Sequence, residues 1–160
     1  SFQNRAQALR RLDRREEALR DFVRAVALEP RSAELWTGKA IVLLELEREA
    51  EALADFGRAI EVDPRYVKAR YNRALTLRKR NDYAGARADL EELARLAPGF
   101  PELWFLLGAV RFVLDDARGA AEALVRAQAA HPDDPLPWTV GGLAHEALGE
   151  HEAALAALSR

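Results

Sequence analysis

Two residue types are missing from this chain of 160 residues, which has no cysteine and no methionine. Without cysteine, the chain can form no disulfide, no thiolate metal site and no cysteine nucleophile. The same absence leaves the redox compartment of the protein undecided. Because the chain starts at Ser1 and its first residues already have a helical pattern, we expect it to be part of a longer protein.

Long apolar runs and a strong net charge are also absent. No stretch approaches the roughly 18 consecutive apolar residues of a membrane span, and the first residues lack the apolar core of a signal peptide. The formal net charge is −2, which gives no global attraction to nucleic acid or to an anionic membrane. We therefore predict no membrane insertion and no nucleic-acid partner. With 49% hydrophobic and 31% charged residues, the composition is that of an ordinary globular protein.

Proline residues mark a strict internal repeat. They recur at Pro30, Pro64, Pro98 and Pro132, always 34 residues apart. A small residue lies 12 positions before each proline, and a large apolar residue lies 8 positions before it. These residues are Ala18, Ala52, Ala86 and Ala120, and Phe22, Phe56, Leu90 and Leu124. A period between 20 and 50 residues indicates a repeat architecture, in which each unit packs only against its neighbours.

Each repeat unit has the pattern of two helices. Leu53, Phe56 and Ile60 recur at steps of three and four residues, which places them on one face of a helix. A small residue such as Ala52 allows two helix axes to approach closely. A larger side chain there is expected to overpack the core.

Helix boundaries are predicted between the periodic segments. Ser32 and Asp82 precede helical patterns and can cap them through their side-chain oxygens. Pro101 and Pro135 are predicted at first-turn positions, where a missing N–H is tolerated.

The order of Trp, Leu-Gly, Ala and Pro in this unit resembles the tetratricopeptide repeat family. The closest match is residues 104–108, Trp-Phe-Leu-Leu-Gly, followed by Ala120, Ala127 and Pro132. The resemblance covers essentially the whole chain. It implies an all-α fold, a right-handed superhelix (α-solenoid) of antiparallel helix pairs whose first helices line a concave groove.

The repeat register predicts a single tetratricopeptide repeat domain over residues 1–160. Its units are placed at approximately 1–32 (partial), 33–66, 67–100, 101–134 and 135–160 (partial). Four basic residues depart from the family pattern. Arg70 replaces an aromatic residue, and Arg5, Lys39 and Arg73 stand where the family usually has leucine. These departures raise the question of how each position is packed.

The histidines and glycines form no recognisable catalytic or metal-binding pattern. His145 and His151 are six residues apart, whereas a zinc-protease helix needs its two histidines four apart. In the family resembled, both positions pack aromatic residues at the hairpin turn. Gly141 and Gly142 follow no predicted strand, so close helix packing explains them better than phosphate binding. We predict no catalytic residue, no metal and no cofactor.

Charge is distributed unevenly along the chain. Residues 65–98 carry nine basic and four acidic residues, whereas residues 31–64 carry four basic and eight acidic ones. Residues 133–160 carry one basic and five acidic residues. The basic band has three open interpretations: a solvated helix surface with ion pairs, a site for an acidic peptide, or a nucleic-acid site. Aromatic residues are not interleaved with it, which argues against nucleic acid.

The family resemblance implies which side chains line the groove. They are polar and basic in the third unit and mostly apolar in the fourth and fifth. The predicted peptide-binding residues are Lys68, Tyr71, Asn72, Leu75 and Arg78, then Phe105, Leu106, Ala109 and Phe112, and finally Thr139 and Leu143. The apolar residues need a cover. A bound peptide or helix, a missing C-terminal segment and a second copy of the chain remain open as that cover.

One branch of the family binds the C-terminal carboxylate of heat-shock chaperones. Asn72, with the Arg and Ala that follow, resembles the middle of that clamp. Thr37 and Ile41 before it, and Glu102 and Leu106 after it, are not the residues that the clamp needs. Chaperone tails are therefore disfavoured as partners.

The predicted function is that of a non-catalytic protein–protein interaction scaffold. Its partner would be a peptide or helix segment of another protein held in the concave groove, with buried anchors supplying most of the affinity. Two alternatives remain. The chain could be the substrate-recruiting arm of a larger enzyme, or a structural module that self-associates through uncovered terminal repeats.

Overall fold

The computed structural model describes residues 2–11 and 14–130, together with Glu146 and Gly149. Eight helices and no strand occur in this described part. They are α1 (Phe2–Arg11), α2 (Arg15–Leu28), α3 (Ala33–Glu45), α4 (Glu49–Val62), α5 (Val67–Lys79), α6 (Tyr83–Leu96), α7 (Leu103–Val113) and α8 (Ala117–Ala130). The all-α class predicted from the sequence is confirmed.

The described helices belong to two compact units. The first unit comprises Ser1–Arg80 and holds α1 to α5, and the second comprises Asn81–Arg160 and holds α6 to α8. Within each unit, consecutive helices pack against one another. Three residues connect α3 to α4 and α7 to α8, so the paired helices run antiparallel.

The core positions follow the 34-residue register. Ala18, Ala52, Ala86 and Ala120 are fully buried. The large apolar residues of the register are at most 2% exposed; they are Phe22, Phe56, Leu90 and Leu124. The alternation of small and large residues therefore brings the helix axes together and fills the space beside them.

Side-chain hydrogen bonds cap two helices at the predicted residues. The Ser32 hydroxyl accepts from the Leu35 amide at 3.3 Å, and the Asp82 carboxylate accepts from the Gly85 amide at 2.9 Å. The prediction for Pro101 is wrong, because α7 begins only at Leu103. Pro101 lies in the turn before it, and Pro135 lies outside the described residues.

Arg70 takes over the hydrogen bond that tryptophan makes in other repeats. The indole Nε1 of Trp36 donates to the Pro30 carbonyl, and that of Trp104 donates to the Pro98 carbonyl, both at 2.8 Å. Arg70 donates to the carbonyl of Pro64 from Nε at 3.3 Å and from Nη2 at 3.2 Å. The guanidinium therefore keeps the bond between the start of the helix and the preceding proline, although the aromatic ring is lost.

Two tight hairpin turns place a non-glycine residue in the left-handed region. Glu47 and Asp115 both have φ of 59°. After α3, the amide of Glu47 donates to Leu44 O at 3.0 Å and that of Arg48 donates to Leu43 O at 2.8 Å. This is the pattern of a Schellman motif, which normally has glycine at the left-handed position.

Glu47→Gly is expected to raise the free energy of unfolding by roughly 0.5–1 kcal/mol. The left-handed conformation costs an L-residue about 1–2 kcal/mol, and the greater freedom of glycine in the unfolded chain cancels part of the gain. Urea unfolding followed by circular dichroism measures the change. Ala54→Gly, at an exposed position inside α4, is the control and should lower stability by about 0.5–1 kcal/mol. A loss of stability in both variants would contradict the strain at Glu47.

Candidate functional site

The predicted groove residues of the first unit lie on α5. Lys68 and Arg78 are exposed, whereas Tyr71, Asn72 and Leu75 are partly buried. The Asn72 side chain donates to the Lys68 carbonyl at 2.8 Å. This bond holds the amide against its own helix while leaving the side-chain oxygen available to a ligand.

Positive charge on α5 is incompletely compensated. The helix contains no acidic residue. Lys79 forms an ion pair with Glu49 at 2.5 Å, and this bond raises the pKa of Lys79. Within the described part of the chain, Lys68 and Arg78 form no ion pair. These two cations are therefore available to an acidic group outside the unit.

The predicted groove residues of the second unit lie on α7 and differ in exposure. Phe105 and Phe112 are partly buried and pack against the core formed by Ala120, Ala121 and Leu124. Both rings therefore keep part of their surface open, and the small residues Ala120 and Ala121 allow them to pack partly against α8.

The remaining α7 residues separate into covered and open positions. Ala109 is partly buried, and Val113 at the end of the helix is 52% exposed. Leu106 was also expected on the groove surface. It is only 5% exposed, so it belongs with the buried side of the helix and cannot act as an exposed anchor.

Several predicted residues lie outside the described part of the structure. Thr139 and Leu143 of the predicted groove are among them, as are His145 and His151. Over residues 2–11 and 14–130, no group of three histidine, aspartate or glutamate side chains is arranged to hold a metal ion. None of the helices in these ranges is long and apolar enough to cross a bilayer.

Two ion pairs inside the helix hairpins were not predicted from the sequence. Arg5 donates two hydrogen bonds to the Asp21 carboxylate, and the bond from Nε to Oδ2 is 2.6 Å long. In the next hairpin, Lys39 Nζ lies 3.2 Å from Asp55 Oδ1. Asp21 is 1% exposed and Asp55 is 7% exposed. Arg5 and Lys39, two of the basic residues that depart from the family pattern, are therefore each matched by a buried carboxylate 16 positions later.

The two carboxylates respond differently to their surroundings. The hydrogen bonds from Arg5 lower the pKa of Asp21, and they outweigh the opposing effect of burial. At Asp55, burial raises the pKa, and Lys39 only partly offsets this effect. A bidentate guanidinium therefore stabilises the charged form more than a single ammonium does.

Asp21→Asn is expected to lower the free energy of unfolding by about 1–3 kcal/mol at pH 7, because it removes two charge-assisted hydrogen bonds. The folded pKa of Asp21 is depressed. Its contribution is thus complete above the unfolded pKa of about 3.9 and is lost as the pH falls through the folded value. Urea titrations at a series of pH values should show the difference from the parent chain shrinking below about pH 4.

Asp55→Asn is the matched control for this prediction. Because burial raises the folded pKa of Asp55, its charged form costs stability as the pH rises through about 3.9 toward the folded value. The Asp55 variant should therefore be less destabilised at pH 7 than the Asp21 variant. Equal losses in both, independent of pH, would contradict the difference between the two pairs.

Family comparison decides the class of this chain. One tetratricopeptide repeat model matches residues 4–67 and 50–101, and a second matches residues 77–141. The chain belongs to the tetratricopeptide repeat family. A search of curated protein sequences gave no match.

Solved structures share the fold of this tetratricopeptide repeat chain. The crystal structure of the MamA protein is similar with a TM-score of 0.85 and 16% identity, over 99% of this chain and 86% of that one. MamA (41-end) from Desulfovibrio magneticus RS-1 is similar with a TM-score of 0.83 and 23% identity, over 99% and 89% of the two chains. The first tetratricopeptide domain of Spaghetti (RPAP3) has a TM-score of 0.67 and 20% identity, over 71% and 90%.

The tetratricopeptide register can be compared directly with the helices. Helices α3 and α4 lie within the predicted unit 33–66, and α7 and α8 lie within the predicted unit 101–134. The first helix of the predicted unit 67–100 is α5 and the second is α6. The predicted groove residues that the structure describes therefore all belong to first helices, α5 and α7.

Proposed function

We propose that the chain is a non-catalytic scaffold that binds a peptide segment of a partner protein on the first helices of its tetratricopeptide repeats. The composition and exposure of α7 carry the proposal. Its eleven residues include one charged residue, Arg111, yet Phe105 and Phe112 are only partly covered and Val113 is half exposed. A helix that is apolar on nearly all sides is normally covered by another surface.

Aromatic rings that keep part of their surface exposed are suited to anchoring a peptide. Aromatic residues lose little conformational entropy when a ligand covers them, and buried anchors supply most of the affinity of such interfaces. We assign this role to Phe105 and Phe112 in the second unit. In the first unit, Lys68 and Arg78 would pair with acidic side chains of a peptide, and Asn72 would hydrogen-bond to its backbone.

Related structures support peptide binding by this architecture. The first tetratricopeptide domain of Spaghetti (RPAP3) was solved with the HSP90 peptide SRMEEVD, and the second domain of human RPAP3 was solved with the HSP70 peptide SGPTIEEVD. In this chain, Thr37 is 3% exposed and Leu106 is 5% exposed, so neither can contribute to a clamp for such tails. We expect the SRMEEVD peptide to bind far more weakly than peptides selected on this chain.

Peptides selected from a random display library provide the probe. The double variant Lys68→Glu with Arg78→Glu should weaken selected acidic peptides about tenfold or more, because it both removes and reverses two charges. The effect should shrink at high salt, since exposed charges are screened. Fluorescence anisotropy with labelled peptides measures both results.

A double variant elsewhere controls for net charge. Arg31→Glu with Arg58→Glu makes the same change in charge at two exposed positions outside the first helices. It should leave the selected peptides bound. Equal weakening by both double variants would show a non-specific charge effect and would contradict the assignment to α5.

A further inference from the structure

Helix α5 carries free positive charge near both of its ends. Lys68 in its first turn and Arg78 in its last turn are exposed, and neither forms an ion pair with a residue that the structure describes. With a rise of 1.5 Å per residue, their Cα atoms are about 15 Å apart along the helix axis. A ligand that lies along α5 can therefore place one negative charge at each end.

This arrangement is a property of α5 and not of the repeat pattern. The corresponding residues are Glu34 and Leu44 one repeat earlier, and Glu102 and Phe112 one repeat later. The first of each pair is acidic and the second is apolar. The charge pattern of α5 is thus absent from the first helices on either side of it in the sequence.

The face between the two cations offers one hydrogen-bond acceptor and one apolar contact. Asn72 and Leu75 follow Lys68 at steps of four and three residues, so they lie on the same face of α5. The Asn72 amide nitrogen donates to the Lys68 carbonyl at 2.8 Å, and its side-chain oxygen has no donor among the described residues. Leu75 keeps part of its surface exposed. A ligand therefore meets a cation, an acceptor, an apolar side chain and a second cation in that order.

The free oxygen of Asn72 favours an extended ligand over a helical one. The backbone N–H groups of an extended segment are free to donate to this oxygen, whereas those inside a helix already bond within the helix. In an extended segment, the side chains of residues i, i+2 and i+4 point to one side, and residues i and i+4 are about 13 Å apart. The long side chains of Lys68 and Arg78 can reach two charges at this separation.

We propose that α5 recognises an extended peptide segment in which two acidic residues are four positions apart and an apolar residue lies midway between them. The acidic residues pair with Lys68 and Arg78, and the apolar residue packs on Leu75. This recognition rests on the peptide binding proposed above for the first helices. It adds the spacing and the order of the residues that α5 selects.

Selection from the random display library tests the spacing. The library is selected on the parent chain and, in parallel, on the double variant Lys68→Glu with Arg78→Glu. Peptides that bind only the parent should be enriched in two acidic residues at i and i+4 with an apolar residue at i+2. Peptides that bind both chains are the control and should show no such enrichment.

Permuted copies of the tightest parent-specific peptide test the order at constant composition and charge. One copy exchanges the apolar residue with its neighbour, which turns it to the opposite side of the extended segment. A second copy moves one acidic residue by one position, which turns its charge away from α5. Each copy should bind about two- to fivefold more weakly in fluorescence anisotropy, the loss expected for one exposed ion pair or one partly buried apolar contact.

Double-mutant cycles measure each ion pair separately. Replacing one peptide acid with glutamine should weaken binding about two- to fivefold on the parent chain and much less on the variant that lacks its partner, Lys68→Gln or Arg78→Gln. The pairing also gives the direction of the peptide along α5. Arg31→Gln changes an exposed residue between α2 and α3 and is the matched control. It should show no coupling with either peptide acid.

The ion pair beside Arg78 provides a further variant. Lys79 is paired with Glu49 at 2.5 Å, so its charge is only partly available to a ligand. Glu49→Gln releases Lys79 and removes a like charge, and it should strengthen binding of the selected peptide about two- to fivefold. Unchanged or weaker binding to this variant would contradict an acidic residue of the peptide at this end of α5.

The outcomes separate the recognised pattern from peptide binding itself. If parent-specific peptides need Lys68 and Arg78 but tolerate every permutation, the pattern is overturned and peptide binding by α5 stands. Acidic residues ten or eleven positions apart, without enrichment at i and i+4, would indicate a helical ligand and overturn the extended one. If no selected peptide responds to either substitution, the pattern and the role of α5 in peptide binding are both wrong.

Discussion

Phe56→Ala is expected to lower the free energy of unfolding by about 3–5 kcal/mol, whereas Phe105→Ala should lower it by only about 1–2 kcal/mol. Phe56 is fully buried, so its removal loses apolar burial and leaves a cavity. Phe105 is partly exposed, and solvent can fill part of the space that its ring vacates. Single domains are stable by about 5–15 kcal/mol, so the first change should remove a large share of the total.

Denaturant titration of both variants separates a binding surface from a core. Phe112→Ala should behave like Phe105→Ala, because both rings are partly buried against the same residues of α8. Both variants should still fold while losing affinity for selected peptides. If Phe105→Ala is as destabilising as Phe56→Ala and leaves peptide binding intact, the apolar face of α7 is core and the proposed anchors are wrong.

Gly38→Ala and Gly57→Ala are expected to change stability in opposite directions. A Cβ atom on Gly38 would lie 2.5 Å from Cε1 of Phe22. The ring is almost completely buried at 1% exposure and has little room to move. Overpacking of this kind costs roughly 1–3 kcal/mol, which exceeds the gain of about 0.5–1 kcal/mol from replacing a helical glycine.

Gly57 provides the matched comparison on α4. The nearest atom to its added Cβ is Arg73 Nη1 at 3.9 Å, an ordinary contact. Gly57→Ala should therefore stabilise the chain by about 0.5–1 kcal/mol through helix propensity alone. Urea midpoints with unchanged m-values measure both effects. If Gly38→Ala also stabilises the chain, the Phe22 ring must be free to move away from the added methyl group. That result would contradict tight packing between α2 and α3 at this position.

The sequence predicted the repeated features of the fold well. The spacing of Pro30, Pro64 and Pro98 set the register, and the burial of Ala52 and Phe56 follows from it. These features could be predicted because the same packing requirement recurs in every repeat and leaves the same residue pattern each time. Caps such as Ser32 were predicted because the capping residue lies next to the helix that it caps.

Features that depend on contacts between distant residues could not be predicted in the same way. The ion pair of Arg5 with Asp21 joins α1 to α2. In the sequence, only the 34-residue spacing of Asp21 and Asp55 indicated that these aspartates have a common role. The partial burial of Phe105 depends on the small residues of α8, which a pattern on α7 cannot show. Glu47 adopts a backbone conformation that its residue type does not favour. Leu106, predicted on the groove surface, is only 5% exposed, and peptide binding by the other groove residues stays a prediction.

Photocrosslinking of a selected peptide tests the central claim most directly. The photoreactive residue p-benzoylphenylalanine is placed at Phe105 or Phe112 on α7, and at Val23 or Val125 on the second helices α2 and α8 as controls. Both valines are half exposed at 50% and 52%, so they are at least as accessible to a ligand. We predict that the peptide crosslinks at the α7 positions and not at the controls. Crosslinking at Val23 and Val125 without crosslinking at Phe105 and Phe112 would contradict peptide binding by the first helices.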